Sequence, residues 1–396
     1  MAKAGKIDLK AMQKMINKKT GLKVAHNLNE NNPTSVKQWI PTGSRWLDSI
    51  ICRGKHAGVP VGKITEIAGL SGAGKSFMAA QVAGNAQKMG IIAVYFDAES
   101  AIDPLFLQRA GVDTEQLIYI QAVSVEKVFE TIEALITEYE DSQFLFIWDS
   151  IAATSSEKEI ESDYNPQSTM SVKPRIFGKA FPKLTIPLAD GQHTLLCVNQ
   201  LKTNISPGNP MLAMTQPYFT PGGKALEYFY SLRIWLTKRK AKAAYVTDET
   251  GLRIGSEVKC KIEKSRFGTE GRECTFKILW AGDAAIQDEE SWLIALKASK
   301  TEKLKLSGAW YTLVHKDGKE TKFQGKQWLL KLQDPKFRQA VLDIMDEEIV
   351  KKFESEVKRN KSQTVEPIAE EVVEEEVQLS EKEERGLDLF SSLMES

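Results

Sequence analysis

The chain is short of the features that would send it across a membrane or stabilise it covalently. Its four cysteines, Cys52, Cys197, Cys260 and Cys274, are widely spaced and form no C-x-x-C pair. That pattern argues against a zinc site and for a reducing compartment, with the thiols acting as small buried apolar groups. No apolar run reaches the roughly eighteen residues a membrane-spanning helix requires. No signal-peptide pattern opens the chain, so a cytoplasmic protein without membrane contact is expected. Internal repeats are lacking. Net charge is lacking too, but only as a sum. From Glu366 to Ser396 there are eleven acidic residues against two basic ones, a net of −9, so residues 1–365 carry +9. A basic body suits a polyanionic partner, and an acidic tail can compete with that partner or simply stay solvated.

At 396 residues the chain has room for two or three domains. Residues 1–34 are polar and lysine-rich, with one weak amphipathic stretch from Ile7 to Ile16, and read as an arm carrying a short helix. Residues 35–287 alternate β-rich apolar runs with helical patterns, the signature of a mostly parallel sheet with helices on both faces. The clearest strands are Ile91–Phe96, Phe144–Trp148, Thr194–Val198 and Leu232–Leu236. Glu257–Ile262 and Cys274–Trp280 alternate in polarity and suit antiparallel edge strands. Residues 288–353 form a small α/β module, and 354–396 a low-complexity acidic tail expected to be disordered.

One motif dominates. Gly69-Leu-Ser-Gly-Ala-Gly-Lys75-Ser76 matches the phosphate-loop pattern G-x-x-x-x-G-K-[ST]. A predicted buried strand over residues 62–68 precedes it and a predicted helix starting at Phe77 follows. In that setting the glycines let backbone amides close around phosphates at a helix N-terminus. Gly69, Ser71, Gly72, Ala73, Gly74, Lys75, Ser76 and Phe77 are therefore candidate ATP contacts. Lys75 is placed to reach the β and γ phosphates, and Ser76 to hold Mg²⁺. The strand Phe144–Trp148 ends in Asp149, a second candidate for orienting Mg²⁺ or its water. Glu99, just past Ile91–Phe96, is the best-placed group to position an attacking water, with helix capping as the competing role.

The ordered blocks around these residues resemble the RecA-type recombinases, and more narrowly the UvsX recombinases of T4-type bacteriophages. They are Pro41-Thr-Gly-Ser-Arg-Trp-Leu-Asp48, the phosphate loop, Phe96-Asp-Ala-Glu99-Ser-Ala-Ile-Asp103-Pro104, Trp148-Asp149-Ser-Ile-Ala-Ala153, Asn199-Gln200, Pro221-Gly-Gly-Lys-Ala-Leu226 and Gly255-Ser-Glu. The resemblance implies a RecA-like P-loop ATPase core and a catalytic Glu99. It implies that Phe106 stacks on adenine beside Asp103, and that Gln200 senses the γ-phosphate. The long segment Leu201–Gly222, with Pro207, Pro210 and Pro217, and the shorter one around Asp163–Lys173 would contact DNA. The candidate DNA-binding residues are Thr169, Met170, Lys173, Arg175, Lys202, Ile205, Gly222 and Gly223. Ile205 matches a base-wedging position, and Lys179 adds nearby charge; all the cations also suit ordinary solvated surface. Lys264 and Arg266 match a pair that reaches a neighbour's ATP.

The implied activity is a single-stranded-DNA-dependent ATPase driving strand exchange with double-stranded DNA. It would act as a homo-oligomeric helical filament, aided by a recombination mediator and a single-strand-binding protein, in the cytosol of a phage-infected bacterium. A ring-forming helicase with the same core is the rival reading; the Asp97–Pro104 block and Gly222-Gly223 weigh against it. A non-catalytic regulator is opposed by intact Lys75, Ser76, Glu99 and Asp149. The chain departs from bacterial RecA at Glu161-Ser-Asp-Tyr-Asn-Pro166, where the latter is glycine-rich. Gly386-Leu-Asp-Leu-Phe390 is a candidate partner-docking peptide, loosely similar to sliding-clamp motifs.

Overall fold

Six segments form parallel strands: β1 (Ile64–Gly69), β2 (Ile92–Asp97), β3 (Leu117–Gln121), β4 (Phe144–Asp149), β5 (Thr194–Gln200) and β6 (Leu232–Lys238). They lie in the order 6-1-5-4-2-3. Beyond β6 the sheet turns antiparallel through β7 (Arg253–Ser265) and β8 (Glu273–Leu279), with Ile286–Gln287 outermost. Tyr245–Thr247 pairs beside β7, giving ten strands among the described residues. The computed structural model describes residues 8–21, 25–28, 34–163, 169, 171–204, 215, 217–238, 244–280 and 286–351. The acidic tail, its Gly386–Phe390 peptide, Met170 and Ile205 lie outside the described residues.

β1 and β4 are buried at every position because helices cover both faces of the sheet. Side chains alternate along each strand, so neighbouring residues enter opposite cores. Tyr95, Leu145, Ile147, Leu196 and Val198 pack with α1 (Lys75–Lys88). Val94, Phe96, Phe146, Trp148 and Cys197 pack with α2 (Val125–Glu138) and α3 (Val172–Asp190). In α3 the buried Phe177, Phe181, Leu184 and Leu188 recur every three or four residues, which makes one apolar stripe. Phe177 and Phe181 meet Phe129 with ring centroids 6.2 and 5.7 Å apart.

The sequence does not signal β3. Leu117-Ile-Tyr-Ile-Gln lies at the sheet edge with no position fully buried, so neither a buried run nor a clean alternation marks it. The N-terminal arm does carry a helix, Leu9–Thr20, capped by Asp8 and ended by Gly21. The C-terminal module comprises α5 (Glu289–Ser299), an antiparallel sheet of Leu304–Ser307, Trp310–Val314 and Glu320–Gln324, and α6 (Pro335–Met345), with α4 being Lys224–Phe229 earlier in the chain. Its Trp292, Leu296, Phe323 and Phe337 belong to the same apolar cluster as α1.

Where this module joins the core, Asp48 accepts hydrogen bonds from the backbone and hydroxyl of Thr42 (3.1 and 2.7 Å). Burial pushes the Asp48 carboxyl up to about 8 despite those bonds, and the nearby Asp288 pushes the same way. A carboxyl raised in the fold holds a proton that the unfolded chain releases. Stability tied to it therefore declines as pH rises from its ordinary 3.8 through about 8. Urea midpoints between pH 6 and 9 are expected to fall more steeply for the unaltered protein than for Asp48→Asn; parallel slopes would reject this assignment.

Candidate functional site

β1 runs straight into the phosphate loop, and the loop's shape depends on glycine. Gly72 and Gly74 sit at φ +64° and +85°, a left-handed region that side chains resist. A Cβ on Gly74 would also lie 2.2 Å from Ile278 Cδ1. Gly74 caps α1 with no side chain bonded to the helix's first amides, which leaves them directed at the loop's concavity. Lys75 donates to the Leu70 carbonyl at 3.2 Å. Burial pulls its pKa down, while Asp149 and Glu99 oppose that shift.

Two strand ends bring the acidic partners to the loop. Asp149, at the end of β4, is 7% exposed and accepts the Tyr95 hydroxyl at 2.8 Å. Burial raises its pKa, and hydrogen bonds from Ser76 and Tyr95 act against the rise. Glu99 accepts from Ser150 Oγ at 3.2 Å and from Gln200 Nε2 at 3.4 Å. Lys75, Ser76, Glu99, Asp149 and Gln200 thus converge at the carboxyl ends of β1, β2, β4 and β5, where open parallel sheets hold ligands. A further carboxylate unmarked by the sequence reading holds the Glu99 turn. Asp97 accepts from the amides of Glu99, Ala101 and Ile102 at 2.9, 3.1 and 3.2 Å, and from the Tyr119 hydroxyl at 3.0 Å.

A cavity of about 500 Å³ opens beside the loop. Gly72–Phe77, Ile102 and Phe106 form one side, and Lys238, Arg253 and Trp280 the other. The Phe106 ring packs edge-on against Phe77, centroids 4.4 Å apart. Asp103 does not line this cavity; it caps the next helix by accepting from the Leu105 amide at 3.2 Å. Arg253 stacks on Tyr245 at 3.7 Å and lies 5.1 Å from the Trp280 ring. Among the described residues the lining includes three cations and no carboxylate. Lys238, Arg253 and Trp280 escape sequence reasoning because only the pairing of β6, β7 and β8 brings them beside the loop.

The long segment after β5 is zipped at its base. Lys202–Thr203 pairs with Tyr218–Phe219, and the Asn204 amide donates to the Pro217 carbonyl at 2.8 Å. Below the zip, Asn199 donates to Glu66 at 2.9 Å and to the Pro221 carbonyl at 3.1 Å. Arg233 donates to Glu66 at 2.6 Å and to Thr220 at 2.9 Å, and lies 3.4 Å from Glu227. A buried network therefore connects the residue next to Gln200 with the returning stem of the segment.

Thr169, Lys173 and Gly222 line a common cleft of about 310 Å³ with Pro174, Phe177 and Pro221. Lys173 is half-buried rather than a free surface cation: it donates to the Thr154 carbonyl at 2.8 Å and sits 3.6 Å from Glu159. Arg175, Lys179, Lys202 and Gly223 are exposed. Lys264 donates to the Glu227 and Tyr228 carbonyls and Arg266 to Tyr228 at 2.6 Å, at the negative end of α4. Lys264 pairs with Arg233, whereas Gly69 pairs with Leu236. That offset of three residues puts Lys264 roughly 10 Å down the sheet from the phosphate loop, on the side away from its own cavity.

Among the described residues no helix is long and apolar enough to cross a membrane. The sequence model described as the RecA N-terminal domain matches residues 7–284. Curated relatives include Protein RecA of Bifidobacterium breve, 32% identical over 282 residues, covering 71% of this chain and 67% of that protein. Protein RecA of Symbiobacterium thermophilum is 30% identical over 328 residues, 83% of this chain and 88% of the relative. Protein RecA of Mannheimia haemolytica is 30% identical over 290 residues, 73% of each.

Proposed function

The chain belongs to the RecA family, and on that footing we propose that it is a single-stranded-DNA-dependent ATPase that polymerises on DNA and exchanges homologous strands. The observation that carries this reading is the meeting of Glu99 with Gln200 at the nucleotide edge, while Asn199 beside it is bonded into the stem of the long segment. One strand end thereby faces both the γ-phosphate position and the DNA candidate loop, which is the arrangement a nucleotide-gated DNA grip requires.

In this reading the loop amides and Lys75 bind the triphosphate, and Glu99 orients water toward the γ-phosphate. Gln200, now on Glu99, exchanges that bond for the phosphate and shifts the stem through Asn199. Ser76 and Asp149 are the residues that would hold Mg²⁺; a buried carboxylate already accepting from the Ser76 hydroxyl fits a cation with hard oxygen ligands. Held there, Mg²⁺ would offset the negative charge of the triphosphate. Phe106 and the Trp280 wall flank the base. Thr169, Met170, Lys173, Arg175, Lys202, Ile205, Gly222 and Gly223 would meet DNA, with Lys173 leaving Glu159 to do so. Lys264 and Arg266, turned away from their own cavity, suit a role toward a neighbour's ATP, so hydrolysis depends on assembly.

We assign residues 1–34 to the assembly arm, 35–287 to the ATPase core, 288–353 to the accessory module and 354–396 to a regulatory tail. A mediator and a single-strand-binding protein are the expected helpers. The closer likeness to phage UvsX recombinases, acting in an infected bacterial cytosol, rests on the sequence blocks alone, since the relatives named above are bacterial. Electron micrographs of the protein with long single-stranded DNA and a slowly hydrolysed ATP analogue are expected to show continuous helical filaments. Closed rings would favour a helicase-type motor instead.

A further inference from the structure

We propose that Lys238 is a second cation for the triphosphate, acting within the same chain alongside Lys75. This rests on the nucleotide reading above. Lys238 is the last residue of β6, the strand paired with β1, and so it emerges level with the start of the phosphate loop. Its side chain turns to the cavity face, in step with the buried Ile234 and Leu236, and lines the cavity with Gly72–Phe77.

The ammonium donates to the Gly72 carbonyl at 3.2 Å. Gly72 has no side chain to hold it away: a Cβ there would lie 2.7 Å from Lys238 Nζ. Lys238 has no carboxylate partner among the described residues, unlike Lys173, Lys259 or Lys261. Its charge is instead felt by Lys75. Two ammonium groups held near one glycine loop repel each other unless an anion arrives. Of the three cations on the cavity wall among the described residues, Lys75 is accounted for by the motif. Arg253 spends its guanidinium on Tyr245, the Gly255 carbonyl and the Ser256 hydroxyl. Lys238, like Lys75, holds only a neutral carbonyl, a weak partner that a phosphate oxygen displaces. On binding, its Nζ leaves Gly72 for the β or γ phosphate.

The experiment is equilibrium binding of ATP and of AMP, with Mg²⁺, to the full-length protein and to three variants at Lys238. Glutamine keeps a donor for Gly72 but no charge; methionine keeps neither; arginine keeps both. A charge-assisted hydrogen bond to phosphate corresponds to a ~10–100-fold change in ATP affinity. Lys238→Gln and Lys238→Met are both expected to show that loss for ATP, with AMP affinity changed less than about twofold and Lys238→Arg near the unaltered protein. If Lys238→Gln binds ATP like the unaltered chain and only Lys238→Met is weak, the lysine merely props Gly72 and the proposal is overturned. Equal losses for ATP and AMP overturn it as well. Failure of the unaltered protein to bind ATP would instead sink the nucleotide reading, and this inference with it.

Discussion

Lys75→Ala is expected to lower DNA-stimulated ATP hydrolysis on the order of 10²–10³-fold, the usual effect of deleting one preorganised group that meets developing charge. Its melting temperature should stay level or rise. The two expectations have one cause. Lys75 is partly buried, has no ion-pair partner within the described residues, and bonds only a neutral carbonyl. Burial has already pulled its pKa down, so the folded chain bears the cost of a desolvated ammonium that a bound triphosphate would offset. Alanine removes that cost together with the proposed catalytic group. Hydrolysis and thermal melts measured on the same preparations test both halves. Persistent turnover would reject the nucleotide assignment, and a large drop in melting temperature would show that Lys75 supports the fold.

Local chemistry made part of this molecule readable from its residues. Phe144–Asp149 and Thr194–Gln200 are continuous apolar runs because helices cover both sheet faces, and a run of that kind needs no tertiary knowledge to recognise. The phosphate loop is equally local: its glycines, lysine and hydroxyl are consecutive. Glu99, Asp149 and Gln200 were legible because each follows a strand, and parallel strands deliver their carboxyl ends to one edge. What stayed hidden depends on which strands are neighbours. Lys238 and Trp280 reach the cavity only because β6 pairs with β1 and β8 lies two strands beyond, an order that periodicity does not encode. Lys173 looks in sequence like any surface lysine, and its bond to Thr154 depends on a fold-back of the chain after β4. The motif resemblance points Asp103 toward the base, yet its observed bond is local, at the start of a helix.

One hidden feature did leave a trace. Glu66 and Arg233 each interrupt an apolar strand, in Thr65-Glu66-Ile67 and Leu232-Arg233-Ile234, and charges in such places need a partner. Strands β1 and β6 are adjacent and place the two residues opposite each other in register. Neither touches water to any extent, with Glu66 0% and Arg233 5% exposed.

Arg233→Met is therefore expected to destabilise the protein by about 3–5 kcal/mol, because it strands the Glu66 carboxylate rather than merely deleting a bond. Burial already holds the Glu66 carboxyl above its ordinary value, while Arg233 and Asn199 pull it down. Without the guanidinium it rises further. A carboxyl raised in the fold keeps its proton when the unfolded chain has lost its own, so its contribution fades as pH climbs from about 4.5 upward. The variant's deficit should be smaller at pH 5 than at pH 8. Adding Glu66→Gln should restore much of the loss at pH 8, since the amide oxygen still accepts from Asn199 and no charge remains buried. Urea titrations of both variants at the two pH values decide this; a deficit below ~1 kcal/mol, equal at both, would mean that Glu66 is not charged in the fold. The double variant also separates stability from coupling. Arg233 is bonded to Thr220 and lies beside Glu227, so its loss frees the returning stem of the long segment even when the fold is rescued. ATP binding at the phosphate loop should then persist while stimulation by single-stranded DNA falls, which is the outcome expected if the buried pair transmits the nucleotide's presence to the DNA loop.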